Sequence, residues 1–166
     1  MATRAQGRKR LLELAKFLRE KVTDKLFDFS EVMVVGDKRP KDALKAGGGC
    51  GTVGCAMGWA DVRWPNRDLI NIEGWDASAN DFAIAEFFGI SEKEVDFLFY
   101  PERRGNALEE TATRKQVAKH IEKFVAQERH RQELKANILH QIKQLKKFSL
   151  FDEIDKEEIE DALLVW

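Results

Sequence analysis

Residues 47–60 read GGGCGTVGCAMGWA, and the fold turns on how this stretch is taken. Four readings are open: a catalytic cysteine loop, a ligand cradle, a disulfide staple, or a tight turn into a buried helix. Apolar and small residues at helical spacing predict a helix from near Thr52 to about Arg63, with Pro65 helping to end it. The first turn of such a helix has unpaired N–H groups and a positive dipole end. A thiolate is stabilised there, so Cys50 is a candidate nucleophile. The same donors at Gly51, Thr52 and Val53 can hold a phosphate or carboxylate. Trp59 and Trp64 then offer stacking faces, and Arg63 a counter-charge. Against both stands packing. Gly51, Gly54 and Gly58 recur at helical spacing and let another helix approach, with Cys55 in the core as a small hydrophobe and Thr52 as a cap. Packing outweighs the ligand site, and the ligand site outweighs the nucleophile.

A cysteine enzyme needs a base. The histidines are His120, His130 and His140. His120 flanks an inward apolar stripe, so a small hydrolase or transferase would pair Cys50 with His120. Zinc is excluded, because Cys50 and Cys55 supply two thiolates where a closed site takes about four ligands. No metal and no cofactor is expected. A Cys50–Cys55 bridge is sterically open and would be redox-labile, but in a reducing compartment thiols are expected. No Gly-x4-Gly-Lys-Ser/Thr loop occurs. No strand is predicted to run into the glycines, so a dinucleotide fold is not expected either.

The rest of the chain reads as helices. Of its 166 residues 43% are hydrophobic, enough for one core, and 34% are charged, which fits solvated helix faces. A net charge of −1 provides no global attraction for nucleic acid, although Arg4, Arg8, Lys9 and Arg10 cluster near the start. No apolar run reaches the roughly 18 to 20 residues of a membrane span. The segment LLELAKFL is broken by charges and is no signal-peptide core. A soluble, cytoplasmic protein is expected.

Leu11, Leu14, Ala15, Leu18 and Val22 predict a helix over about 8–24. Residues 34–49 are expected to form a loop. Ser78 is a predicted N-cap for the next helix, which ends at a left-handed Gly89. Ser91 and Glu94 form a capping box, and Thr113 caps a helix with Val117, Ile121, Phe124 and Val125 inward. Short strands are expected near 31–35 or 69–72. The apolar stripe fails over 126–133 and resumes at Leu134, so a compact domain, 1–128, is followed by an extension, 129–166. Residues 129–147 carry +5 and residues 152–161 carry −6, which favours an antiparallel hairpin. Leu139, Ile142, Leu163 and Trp166 share its apolar face, a candidate surface for self-association or a protein partner.

These motifs resemble a family of small proteins of phages, prophages and bacteria, over about residues 10–127. An amphipathic helix leads to FDFSEV. The core motif is CGTVGCAMGWA, of the form Cys-Gly-Thr-x-x-Cys-x-x-Gly-Trp/His. AEFFGIS, FLFYP and TRKQVAKHIEKFV follow. The long loop at 36–49 and the extension after about 128 depart from the family pattern. The family has no assigned activity, so the resemblance implies an organisation and no mechanism.

The expected fold is mostly α: a small helical domain with a C-terminal helical extension or hairpin. The expected role is that of a non-enzymatic accessory protein, phage- or prophage-like. It would bind a host protein or a small anionic ligand such as a nucleotide, in the manner of a host-defence antagonist. Arg63, Arg67, Arg103 and Arg104 are the counter-charges considered for a phosphate. The cysteine enzyme is the alternative, and nucleic-acid binding through the basic segments ranks third.

Overall fold

The computed structural model describes residues 2–36, 38–48, 51–65, 67–73, 76–100 and 108–147. Among them the chain is mostly helical. Its helices are α1 (Arg4–Glu20), α2 (Pro40–Ala46), α3 (Ala56–Arg63), α4 (Asp81–Phe88), α5 (Glu92–Phe99) and α6 (Arg114–Lys147). A small antiparallel sheet of β1 (Met33–Val34), β2 (Val53–Gly54), β3 (Ile70–Glu73) and β4 (Asp76–Ala79) is inserted between them, in the order β2-β1-β4-β3. The chain divides into two units, Met1–Val125 and Ala126–Trp166.

Helix α1 starts a turn earlier than its apolar stripe suggests. Thr3 caps it in a box with Gln6, whose side chain accepts the Thr3 N–H. Leu11, Leu14, Ala15 and Leu18 are completely buried. Gly7 extends this face. A Cβ there would lie 1.5 Å from the Phe88 carbonyl oxygen, so only glycine lets α1 reach the end of α4. Gly89 closes α4 at φ 60°, in the left-handed region. The Ser91–Glu94 box opens α5, and Thr113 and Gln116 exchange the same pair of bonds at the start of α6. Val117, Ala118 and Ile121 of α6 and Leu98 and Phe99 of α5 belong to the same core, all almost wholly buried.

Three local expectations are corrected. Ser78 does not cap α4; it lies in β4 opposite Asn71, and the cap is Asn80, which accepts the Ala83 N–H. Residues 34–49 are not all loop, since α2 begins with Pro40 in its first turn and ends at Gly47, φ 71°. Helix α3 does not begin at Thr52. Val53 and Gly54 are taken by pairing with β1, and the Cys55 N–H donates to the Glu31 carbonyl at 2.7 Å, so the helix opens only at Ala56.

Two arginine forks hold α1 to the start of α6. Arg114 donates to the Leu18 and Arg19 carbonyls at 3.1 and 2.6 Å and to Asp24 at 2.7 Å. It thereby satisfies orphan acceptors at the α1 C-terminus. Arg19 donates from both terminal nitrogens, one to each carboxylate oxygen of Glu122. In the second unit the described residues are 126–147 of α6. There Leu134 is exposed, Leu139 and Ile142 are half-buried, and Arg129 pairs with Glu133 one turn on at 2.9 Å. Leu163, Trp166 and the acidic segment of the expected hairpin lie outside the described residues.

Candidate functional site

The motif stretch is seated on β1. Gly58, in α3, would place a Cβ 2.0 Å from the Val32 carbonyl oxygen. Gly54 would place one 2.8 Å from the end of Met33. The small residues therefore do admit a close neighbour, but the neighbour is a strand and not a helix. Trp59 is fully buried, and its indole N–H donates to the Leu26 carbonyl at 2.9 Å. Thr52 is 1% exposed. Its hydroxyl accepts the Gly36 N–H at 3.0 Å and donates to the Lys38 carbonyl at 2.5 Å, tying both residues to the start of β2. Val53 is half-buried in β2, and Gly51 is exposed with φ 75°. Of the predicted ligand residues, Thr52 and Trp59 have their polar atoms engaged inside the protein.

Cys55 takes the N-cap position of α3 and is buried. Burial pushes its thiol up to about 11, against the lowering effect of the Gly58 and Met57 N–H groups. The helix end cannot offset desolvation here, and Cys55 is an inert core thiol. Cys50 lies outside the described residues. Its suggested partner, His120, is half-buried with Nε2 3.1 Å from the Phe97 carbonyl oxygen and its ring 4.7 Å from the Phe97 ring. A carbonyl accepts only, so Nε2 carries the hydrogen. Burial lowers the pKa of His120, as does Lys123, while the Phe97 hydrogen bond opposes them. Among the described residues no group of three or more His, Cys, Asp and Glu side chains could hold a metal, and no helix is long and apolar enough to cross a membrane.

The two outermost predicted residues lead elsewhere. Trp64 ends α3 with its ring 5.3 Å from Phe87 and 6.0 Å from Phe88. The Arg63 guanidinium stands 5.5 Å above Trp64. Arg10 from α1 stands 4.2 Å from the Phe87 ring centre, and Arg67 stands 5.8 Å from it. Three cations thus converge on one aromatic ledge, each within cation–π range. None of the three is ion-paired with another described residue. Beside the ledge is a hollow of about 390 Å³, where Gln6 and Arg10 of α1 face Ala83, Glu86 and Phe87 of α4, with Arg67 at its edge. Phe82, on the same helix, is 67% exposed.

Sequence reasoning named Arg63, Trp64 and Arg67 here but missed Phe82, Phe87 and the placement of Arg10. Arg10 and Phe87 are 77 positions apart and are joined only by the α1–α4 contact. No local pattern could announce it. Trp75, Arg103 and Arg104 lie outside the described residues.

A second hollow, of about 450 Å³, lies where Arg39, Lys41 and Lys45 meet Asp42 and Asp61. Its Asp61 carboxyl, accepting the Leu69 N–H at 3.3 Å, is held above the usual carboxylate range chiefly by burial. Asp42 lies 3.8 Å from Lys45, so that site balances part of its own charge. The arginine ledge is the stronger candidate for an anion. Comparison with protein-family models, curated proteins and solved structures finds no match to this chain.

Proposed function

We propose that this chain is a non-enzymatic, phage- or prophage-like accessory protein that acts by binding, and that the arginine–aromatic ledge is its contact surface. The observation that carries this reading is the convergence of Arg10, Arg63 and Arg67 on Trp64 and Phe87 beside an open hollow. Guanidinium groups present planar forks of donors suited to carboxylate or phosphate, and aromatic neighbours hold them in place. Of the Cys50–His120 pair of the alternative cysteine enzyme, Cys50 lies outside the described residues and His120 has Nε2 on the Phe97 carbonyl. The phage-like role rests on the motif resemblance over about 10–127. Residues 129–166, with Leu139, Ile142, Leu163 and Trp166, are assigned to self-association or a protein partner.

Native mass spectrometry of the full chain, purified from a bacterial host at low salt, tests the binding reading. The expected spectrum contains an added mass, protein or small anion, that disappears in the Arg63→Glu/Arg67→Glu variant. Either a bare chain or an adduct that survives the double charge reversal would sink the assignment of the ledge.

A further inference from the structure

The chemistry of the hollow identifies the kind of partner. We infer that the ledge receives an acidic peptide segment of a partner protein, with a carboxylate entering the hollow and an apolar side chain covering Phe82. This rests on the binding reading above.

Three features select that class. First, the hollow is cationic at its rim. Arg10 gives one N–H to the Phe87 carbonyl and keeps further donors, and the guanidinium of the exposed Arg67 stands 5.8 Å from the Phe87 ring centre. Second, the first turn of α1, where Gln6 lines the hollow, carries no acidic residue of its own to offset the positive end of the helix dipole. Both favour an anion. Third, Phe87 is 8% exposed and is attended by two guanidiniums, so it has no open face on which a nucleobase could stack. The aromatic surface that is open is Phe82, one helical turn before Glu86 on α4. A carboxylate near an apolar side chain, a common pairing in acidic peptides, matches the arginines at the hollow and the exposed phenylalanine on the α4 helix that lines it. Arginine and aromatic side chains are also the residues that dominate binding energy at protein interfaces.

The test is fluorescence anisotropy of a labelled short peptide, in which Glu residues flank a Leu-Phe pair, titrated with the full chain. Arg67 and Phe82 are both exposed, so Arg67→Glu and Phe82→Ser leave the core intact, which far-UV circular dichroism checks. The expected result is binding that weakens with added salt and is lost when the peptide's Glu residues are replaced by Gln. Each variant is expected to bind about tenfold more weakly. The inference is overturned if the peptide does not bind, if the Gln peptide binds as well, or if both variants bind like the parent. It is also overturned if inorganic phosphate or a nucleoside triphosphate binds the ledge more tightly than the peptide. A failed peptide titration beside a ledge-dependent adduct in the native spectrum removes this partner class and leaves the binding reading standing.

Discussion

At the scale of single residues, Gly58 shows how a small side chain can be dictated by a neighbour far along the chain. Its position in α3 is helical, and alanine would be the better helix former. The space is not there: a Cβ would sit 2.0 Å from the Val32 carbonyl oxygen and 3.1 Å from the Met33 Cβ. Backbone on both sides must move to admit a methyl. Gly58→Ala is therefore expected to destabilise the protein by about 3 kcal/mol in urea denaturation, an overpacking cost. Gly47 is the control. It has φ 71° and open space, so Gly47→Ala carries only left-handed backbone strain, about 1 kcal/mol. If Gly58→Ala costs no more than Gly47→Ala, the close approach is not what selects glycine. The same neighbourhood explains Trp59, whose indole N–H is satisfied by a carbonyl in the turn after α1.

At the scale of elements, the ends of the helices are specified locally and their mutual placement is not. Thr3, Asn80, Ser91 and Thr113 all accept backbone N–H groups at helix starts. Each such cap contributes about 1 kcal/mol. The α1–α6 joint is different in kind, because Arg114 reaches back to carbonyls 96 and 95 positions away. Arg114→Ala removes charge-assisted bonds to two helix-terminal carbonyls in a largely shielded setting and should cost about 2 kcal/mol. Arg114→Lys should recover little, since an ammonium cannot span the same fork of acceptors. Urea midpoints of the two variants decide this. A lysine variant as stable as the parent would show that charge alone, without the fork, holds the joint.

At the scale of the whole chain, every buried core residue among the described residues lies between Leu11 and Val125. This includes the inward face of α6, which ends at Phe124 and Val125. The unit Met1–Val125 thus carries its own core. A chain ending at Glu128, which keeps the last inward turn of α6 covered, is expected to unfold cooperatively in urea as the full chain does, when followed by tryptophan fluorescence. A gradual, non-cooperative loss of signal from the shortened chain would contradict it.

What the amino-acid order determined by itself was helical class, the apolar faces of α1 and α6, and the caps at Gly89, Ser91 and Thr113. These follow from interactions within a few residues, where spacing and side-chain chemistry are sufficient. The sequence also placed short strands near 31–35 or 69–72, where β1 and β3 lie, but tertiary structure decided their partners and the other strands. Strand β2 is two residues long and exists because β1 is beside it; β4, reading DASA, has no β-branched or aromatic residue to announce it. That pairing moved the start of α3 from Thr52 to Ala56 and turned Thr52 from a helix cap into a loop tie. The site moved for the same reason. Arg63 and Trp64 were visible as neighbours in the chain, but their company is Arg10 and Phe87, brought in by the packing of α1 against α4, a contact between segments that have no local reason to meet.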